Sequence, residues 1–595
     1  MPIIIPIYYS DFFDSGHGEA ELSDLLAPFQ KAPTFRLLAM LNTLLSFYST
    51  DEDNAREVQG FLFANLTDEE LYKRVQLKFP NDKMTRRPIF HRQQLLALMK
   101  RVLLKDAEGE LDPNHDKDAR YRLGLACLMQ NDLLNNEEQT KRLEEAKAEG
   151  EEAVLSELFA QLIVTAELFN PAEVMHAVVR SDEFFNILER RSEEFRFSNG
   201  ESVLDRFRRI TGLELRRYLW MVFGLCIAYK SESEDLKGLI DNPGKFNINK
   251  STIFANTDLS EEEIRLFFDQ MASDLAKITE ELRNPKGRVP LIPDYDLLAF
   301  RTYPLYQVGE QGDVFSTIDF TFLTEKLSAG VFYAIGNSVR TEENKDWHTF
   351  SGFWGNVFED YVNDRLRDYF PMTSQRFYAN PFFDKAEEEA FDGVIDYGNS
   401  LVVMEHKGTY LTLDAKYSGQ LDELIKGLSL NIAKGVVQIA DKLEATFKSG
   451  EHETFTQRGE TPLAFRDEDI KRVRKIYPVI IVQDLALQIG LANYKLRQDL
   501  RREMERRTLR EGVTVMPLSF ITVEDFDKVI HYLNEISLTD ILDEYVSPRH
   551  EPLYTFENTL TRFLNKRGME HRDNEWIQAR RQDLSQRIKQ QFNLT

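Results

Sequence analysis

The sequence predicts a multidomain protein with an all-α N-terminal half followed by an α/β domain, in which a mixed sheet is flanked by helices. Three observations lead to this fold class. Apolar side chains repeat at a helical period through residues 1 to about 285. Prolines then punctuate short apolar pieces from Asn284 onward, which indicates a linker. Beyond residue 346, strand-like and helix-like segments alternate, as they do in a sheet covered by helices.

The length of the chain supports this division, because 595 residues are too many for one hydrophobic core. The tail of the chain carries Trp576, which we expect to anchor it either on a partner or on the α/β domain. The expected regions are a helical recognition or assembly domain at 1–285, a linker and small mixed element at 286–345, the α/β domain at 346–550 and a helical tail at 551–595.

Composition indicates a soluble, cytoplasmic protein. Apolar residues make up 42% of the chain and charged residues 29%, which is typical of globular proteins. The N-terminal residues have no basic start and are broken by prolines, so no secretory signal is predicted. The longest apolar run, Leu219 to Tyr229, is too short to cross a membrane. Cys127 and Cys226 lie in apolar helical surroundings and are expected to be reduced core thiols.

The formal net charge of −25 argues against a protein that coats nucleic acid indiscriminately, because phosphate contacts require Lys and Arg. Binding to nucleic acid would need a local basic surface. Two segments are candidates, Lys495 to Arg510 and Lys471 to Lys475. The first is equally well explained as a solvated helix with charge pairs four residues apart, and the sequence leaves both interpretations open.

Helices in the first half follow from apolar periodicity and from capping signals. The expected segments are Phe35–Tyr48, a helix beginning at Thr67, Gln93–Leu104, Arg120–Leu133, Ala153–Leu168, Leu204–Tyr229 and one running from Ser260 toward Leu282. In the α/β domain, an apolar stripe predicts a helix through Phe353 to Tyr369, and a second predicts one over Leu424 to Leu443. Ile476 to Val482 and Val513 to Met516 are typical of strands, and Thr522 begins a further helix.

The stretch Ala390 to Lys407, AFDGVIDYGNSLVVMEHK, predicts a β-hairpin with its turn at Tyr397 to Ser400. If the turn is centred between Gly398 and Asn399, Asp392 lies opposite Glu405. Opposed residues have Cβ atoms roughly 5 Å apart, close enough for two carboxylates to share a divalent ion. Because side chains alternate along a strand, Lys407 lies on the same face as Glu405.

These residue types predict metal-assisted hydrolysis of a phosphodiester. A hard cation held by carboxylates can bind a phosphate oxygen and lower the pKa of a bound water. Lys407 can orient that water or neutralise charge that develops in the transition state. Such chemistry needs two acids and a base-like or cationic partner in one place, which the predicted register supplies.

The spacing resembles the PD-(D/E)xK, or restriction-endonuclease-like, nuclease superfamily. Asp392 is followed after twelve residues by Glu405-His406-Lys407 at the end of an apolar strand. The preceding helix, GFWGNVFEDYVNDRL, is similar to a family helix that supplies an acid, here Glu359. The following KGVVQIADKL is similar to a helix that supplies a polar residue, here Lys434 or Gln438. Phe391 stands where the family name has proline.

The resemblance implies an Mg²⁺- or Mn²⁺-dependent nuclease, with DNA as the expected substrate. Asp392 and Glu405 would be the metal ligands and Lys407 would position the water, while Glu359 would complete the metal or water environment and Gln438 would touch substrate. It further implies a setting such as restriction, repair or defence against phage. The helical half would then recognise a partner protein or assemble a complex.

Alternatives remain for the site and for the function. Asp396 lies four residues from Asp392, about 13 Å along the strand, and fits a carboxylate beside the turn better than a metal ligand. Asp414-Ala415-Lys416 is a second acid-x-lysine triplet, with a substrate-facing role open for Lys416. His406 lies on the opposite face of the strand and is expected to be packed or hydrogen-bonded. The alternative function is a nuclease-like scaffold or binding subunit without turnover.

Overall fold

The structure is a computed structural model of the chain. It describes residues 9–11, 18–48, 58, 61–63, 90–134, 137–150, 153–154, 174–233, 238–239, 242–284, 296–309, 312–342, 344–370, 376–385, 388–408, 410–413, 416, 432–458, 462–485, 490–547, 555–570, 572 and 574–591. The helix expected from Thr67, most of the one expected over Ala153 to Leu168, and the triplet residues Asp414 and Ala415 lie outside the described residues.

Helices dominate the described part of the first half. His91, Ser202 and Ser260 each close a capping box, so that a side chain binds the free N–H groups of the first helical turn. The helices are α1 Glu19–Leu26, α2 Lys31–Tyr48, α3 Arg92–Leu104, α4 Lys117–Leu134, α5 Glu137–Glu149, α6 Val174–Arg191, α7 Val203–Thr211, α8 Leu215–Ser233, α9 Lys250–Ile253, α10 Glu261–Met271 and α11 Leu275–Arg283.

Two of the expected helices are each divided in the structure. The segment predicted as Leu204 to Tyr229 forms α7 and α8, because Gly212 adopts a positive φ of 72° and ends α7 in a left-handed cap. The segment from Ser260 to Leu282 forms α10 and α11, and the side chain of Asp274 caps α11. The helices on both sides of each break bury an apolar face, so the apolar periodicity continues across the break. The pattern alone therefore does not reveal where one helix ends and the next begins.

A small four-stranded sheet crosses the boundary expected near residue 285, so the prediction of an all-α first half is wrong in this detail. Two-residue strands contain no alternation for a sequence to reveal, which is why they were missed. The strands are β1 Ile248–Asn249, β2 Ala272–Ser273, β3 Leu305–Gln307 and β4 Val314–Thr317, in the spatial order β1-β4-β3-β2.

The second half contains mixed sheets with helices packed against them. Its helices are α12 Leu298–Thr302, α13 Phe320–Glu325, α14 Ala329–Glu342, α15 Trp347–Tyr369, α16 Lys434–Phe447, α17 Asp467–Arg472, α18 Gly490–Glu505, α19 Val523–Ile530, α20 Leu538–Tyr545, α21 Phe556–Arg567 and α22 Glu575–Gln591. Its strands are β5 Arg376–Ala379, β6 Phe382–Phe383, β7 Gly393–Asp396, β8 Ser400–Lys407, β9 Phe455–Gln457, β10 Leu463–Phe465, β11 Lys475–Val482, β12 Thr514–Val515 and β13 Ser519–Thr522.

The large sheet has the order β12-β11-β8-β7-β5, with β13 also paired to β11. Strands β5, β7 and β8 form an antiparallel meander. After β8 the chain passes through α16 and returns as β11, which pairs with β8 in parallel. Strands β12 and β13 extend the parallel side. Strands β6, β9 and β10 form a separate three-stranded sheet.

One continuous hydrophobic core joins the helical half to the large sheet. Phe184 and Phe185 of α6 pack against Trp354 of α15, with ring centroids 4.8 and 6.2 Å apart. Arg180 of α6 forms an ion pair with buried Asp527 of α19 at 2.8 Å. Helix α6 is therefore a common support for α15 and α19.

The C-terminal tail packs on both halves. The guanidinium of Arg365 in α15 lies 3.4 Å from the ring centroid of Trp576, which anchors the tail on the sheet domain rather than leaving the ring exposed to a partner. Arg587 of α22 forms an ion pair with Asp182 of α6 at 2.6 Å. No helix among the described residues is both long and apolar enough to span a membrane.

Candidate active site

The hairpin β7–β8 has the predicted register. Gly393 pairs with Met404 and Asp396 with Leu401, so Asp392 is next in line opposite Glu405. The first strand is shorter than expected, since β7 begins at Gly393 and leaves Asp392 just before it. The turn has the expected centre, and Gly398 adopts a positive φ of 88° there.

Asp392 is fixed at the end of the hairpin by four hydrogen bonds, one of which is donated by the backbone N–H of Asn380 to the Asp392 carbonyl at 3.1 Å. Its backbone N–H donates to the carbonyl of Met404 at 3.1 Å, and its own carbonyl accepts from the side chain of Asn363 at 3.0 Å. Its carboxylate oxygen Oδ2 accepts the backbone N–H of His406 at 2.5 Å. The carboxylate thus bridges the two strands, which leaves Oδ1 for other partners.

Glu405, Lys407 and Gln438 meet on one face of the sheet. Nζ of Lys407 lies 3.0 Å from Oε2 of Glu405 and donates to the amide oxygen of Gln438 at 3.1 Å. Gln438 reaches this position from α16, whose N-terminal turn passes closely over the strand. A Cβ on Gly435 would lie 2.9 Å from Cε of Lys407, so glycine at this position makes room for the lysine.

Lys442, one turn after Gln438, also enters the site. Its Nζ contacts Oε1 of Glu405 at 2.5 Å and lies 4.0 Å from Oδ1 of Asp392. Lys434, Gln438 and Lys442 recur four residues apart in the sequence, a spacing that allows them to line a phosphate path but slightly favours a solvated position for Lys442. The structure instead brings Lys442 to Glu405. Lys434, two turns earlier than Lys442, is exposed.

Glu359 and Glu389 experience the negative charge of the site. Burial, followed by the charges of Asp392 and Glu389, raises the pKa of Glu359 to about 9. Burial and the charge of Asp392 raise the pKa of Glu389 to about 7. The pKa of Lys407 is raised as well: burial lowers it, but attraction to Glu405 and Asp392 outweighs burial. Glu359 is therefore protonated at neutral pH.

Glu389 was not singled out from the sequence. It is the last of three consecutive glutamates, and a period or spacing argument cannot tell which member of such a run faces inward. In the structure, Glu389 forms an isolated bridge with Phe382, next to the hairpin. That bridge fixes the backbone at Glu389 and so the direction of its side chain. The bridge itself depends on β6, a strand only two residues long.

The rival residues lie elsewhere. Asp396 accepts the N–H of Gly398 at 2.7 Å and forms an ion pair with Arg472, so it is a carboxylate beside the turn. Lys416 is 4% exposed and forms an ion pair with buried Asp484 at 2.7 Å, which excludes it from contact with a large substrate in this conformation. His406 is packed on the opposite face, where burial lowers its pKa to about 3.

The basic segment at Lys495 to Arg510 is mainly committed to intramolecular contacts. Arg497 donates to the carbonyls of Leu518 and Tyr545, and Arg510 donates to those of Ile470 and Val473. Exposed Arg501 pairs with Glu505. These contacts favour the solvated, ion-paired helix among the two interpretations that the sequence left open.

The chemistry of the site fits a divalent cation, on two observations. A cationic group, the ammonium of Lys442, already lies between the carboxylates of Asp392 and Glu405. Burial is the largest cause of the raised pKa of Glu359, followed by the charges of Asp392 and Glu389, and a bound cation would offset those charges. Within the described residues, no group of three or more His, Cys, Asp or Glu side chains is arranged around a metal position. A divalent ion at this position would have two protein carboxylates as ligands, and Mg²⁺ commonly keeps several waters in such sites.

Comparison of the chain with models of protein families, with curated proteins and with solved structures finds no match. The geometry of the hairpin and its neighbouring helices is therefore the basis of the functional argument.

Proposed function

We propose that this chain is a metal-dependent nuclease of the PD-(D/E)xK type that hydrolyses phosphodiester bonds, with DNA as the expected substrate. One observation carries the proposal: Asp392, Glu405 and Lys407 converge at the end of one hairpin, and Gln438 contacts Lys407. The order of helix, antiparallel hairpin and helix in α15, β7–β8 and α16 supports it. This order is the one that the resemblance implies.

The reaction is attack of water on phosphorus, with breakage of one P–O bond to give a phosphate monoester and a free hydroxyl. Lys407 is held by Glu405 and Gln438, so its ammonium points in a fixed direction. In that position it orients the attacking water and stabilises negative charge on the phosphoryl oxygens. Because both of its partners are themselves held by the fold, little reorganisation is needed when the substrate arrives.

Asp392 and Glu405 would hold Mg²⁺ or Mn²⁺. When bound, the ion would polarise the phosphodiester and make water more acidic. Glu359 carries a proton at neutral pH because burial and Asp392 raise its pKa to about 9. We assign it the task of completing the environment of the ion and its waters.

The test is cleavage of linear and circular DNA with Mg²⁺, Mn²⁺ or EDTA by the wild-type chain and by the Asp392→Ala and Lys407→Ala variants. Asp396→Ala is the matched control, because it removes a carboxylate from the same strand that contacts Arg472 instead of the site. We expect metal-dependent cleavage that both site variants lose and that the control retains, with similar circular dichroism for all. Cleavage by both site variants at the wild-type rate would disprove the assignment.

We assign recognition of a partner or assembly to the helical half, in a setting such as restriction or defence against phage. Its size and its shared core with the sheet domain support this assignment. Comparing infection of bacteria that carry the wild-type or the Lys407→Ala chain tests this setting. Equal sensitivity of the two strains to phage would contradict a role in defence. The nuclease assignment would still depend on the cleavage assay.

A second function, a nuclease-like scaffold without turnover, is favoured by one specific observation. The charges of Asp392 and Glu405 are already balanced by Lys407 and Lys442, so the site is neutralised by the chain itself. A scaffold predicts that binding of nucleic acid or a partner protein is the same with Mg²⁺ and with EDTA. It also predicts that Lys407→Ala retains full biological activity, and loss of that activity would reject it.

A further inference from the structure

Lys442 is the one lysine of the site that the proposed reaction leaves without a task. Its ammonium contacts Oε1 of Glu405, while Lys407 contacts Oε2 of the same carboxylate. Both oxygens of Glu405 are thus engaged by ammonium groups. Each oxygen keeps a second lone pair, but a divalent ion and an ammonium group on the same carboxylate repel each other, so a metal ion at Glu405 would compete with these contacts.

The two lysines differ in how firmly they are held. Lys407 has a second partner, the amide oxygen of Gln438, at 3.1 Å. Besides Glu405, Lys442 has the more distant Asp392 oxygen at 4.0 Å and the ring of Phe391, whose centroid is 5.9 Å away. The two side chains are similarly exposed, at 17% for Lys442 and 20% for Lys407. Lys442 therefore differs from Lys407 in having one close partner instead of two, and its partly exposed side chain can move toward solvent.

We propose that Lys442 is a displaceable internal cation, which neutralises Asp392 and Glu405 in the metal-free chain and leaves them when a divalent ion binds. This inference rests on the proposed function, because it concerns the same carboxylates. The ammonium and a divalent ion repel each other when they share these oxygens, so Lys442 weakens metal binding. Once displaced, the ammonium lies beside the carboxylates and is available to a phosphate oxygen of the nucleic acid.

The contact between Lys442 and Glu405 also explains how the fold tolerates the buried carboxylates when no metal is bound. Glu405 is almost fully buried, and a buried carboxylate that loses its partner destabilises the folded state strongly. With Lys442 in place, the metal-free site is charge-balanced. This role of Lys442 predicts that its removal lowers the stability of the metal-free chain and raises the affinity of the chain for a divalent ion.

The experiment measures Mn²⁺ binding to the full chain without nucleic acid, using electron paramagnetic resonance of free Mn²⁺, for wild type and Lys442→Gln. Lys448→Gln is the matched control, because it removes the same charge from the exposed C-terminal end of α16. We expect Lys442→Gln to bind Mn²⁺ about tenfold more tightly than wild type, and Lys448→Gln to bind like wild type. Lys442→Arg, which retains the positive charge, is expected to bind close to the wild-type level.

Thermal unfolding supplies a second readout that does not depend on catalysis. In EDTA, Lys442→Gln is expected to unfold at a lower temperature than Lys448→Gln, and Mn²⁺ is expected to raise its unfolding temperature more than it raises that of wild type. If Lys442→Gln does not fold, the Lys442→Arg chain and the wild type still test the idea: removal of Mn²⁺ leaves both folded.

The outcomes separate this inference from the proposed function. Mn²⁺ affinity that is unchanged or weaker in Lys442→Gln, together with loss of binding in Asp392→Ala, would overturn the role of Lys442 and leave the metal site standing. Absence of Mn²⁺ binding in every chain would overturn both. Tighter binding in Lys442→Gln that Asp392→Ala abolishes supports both.

Discussion

The ammonium of Lys407 donates a hydrogen bond to the amide oxygen of Gln438 on the neighbouring helix, 3.1 Å away. This contact joins the β7–β8 hairpin to α16 and fixes the direction of the lysine. Gln438→Ala is therefore expected to lower kcat for DNA cleavage about tenfold, with a small change in KM, because one orienting hydrogen bond is lost. Val437→Ala, a change at the exposed neighbouring position, is the control. A kcat equal to that of the control would show that Gln438 does not orient Lys407.

Gly435 tests how closely α16 must approach the strand. An alanine Cβ there would lie 2.9 Å from Cε of Lys407, and the flexible end of that side chain would have to move aside. Gly435→Ala is expected to fold but to cleave at least about tenfold more slowly, because displaced catalytic groups lose rate steeply. Gly352→Ala in α15 is the matched control, since nothing lies within 4 Å of its Cβ. It should gain about 0.5 to 1 kcal/mol of stability and retain wild-type cleavage.

His91 is expected to make the folded protein less stable in mild acid. Burial lowers its pKa to about 4, against an ordinary value of 6.5. The folded state keeps the neutral imidazole, so stability is full above about pH 6.5 and is lost as the pH falls toward 4. The loss should reach roughly 3 kcal/mol at pH 4, measured by urea unfolding between pH 7.5 and 4. His91→Asn, which retains a side chain able to cap α3, should show a flatter profile, and identical slopes would contradict the assignment.

The Arg180–Asp527 ion pair is expected to hold α6 against α19. Asp527 is 1% exposed and also accepts a hydrogen bond from Tyr361 at 2.9 Å. Arg180→Met leaves a buried carboxylate without its cation and should lower the free energy of unfolding by about 3 kcal/mol or more. Arg190→Met on the same helix is the control. Arg190 is 68% exposed, and its removal should cost less than about 0.5 kcal/mol. Equal losses of unfolding free energy in the two variants would show that the buried ion pair contributes no more to stability than the exposed arginine does.

The hairpin could be predicted from the sequence because its signals are local. A turn with Gly398 at its centre and two runs of strand-forming residues determine the register, and the register alone places Asp392 opposite Glu405. Gln438 followed from the resemblance of KGVVQIADKL to a family helix that supplies a polar residue. The sequence also supplied the helical character of the first half, since an apolar stripe repeats over many residues.

The remaining features of the site and fold depend on tertiary contacts that a sequence pattern does not contain. The polar helix face that carries Lys442 only slightly favours a solvated position over a site position, and the packing of α16 over β8 is what brings this lysine to Glu405. Glu389 is directed by a bridge to a two-residue strand. The small sheet across residue 285 is built from pieces too short to show a period, and Gly212 ends a helix within an unbroken apolar pattern.

The packing of Phe184 and Phe185 on Trp354 bears on how this protein can be divided. Trp354 is fully buried, and it lies on the same helix as Glu359. A fragment that begins at residue 346 would present this aromatic face to water, and such surfaces promote self-association. The helical half and the sheet domain therefore share one aromatic core, and a fragment that contains only the sheet domain is expected to self-associate.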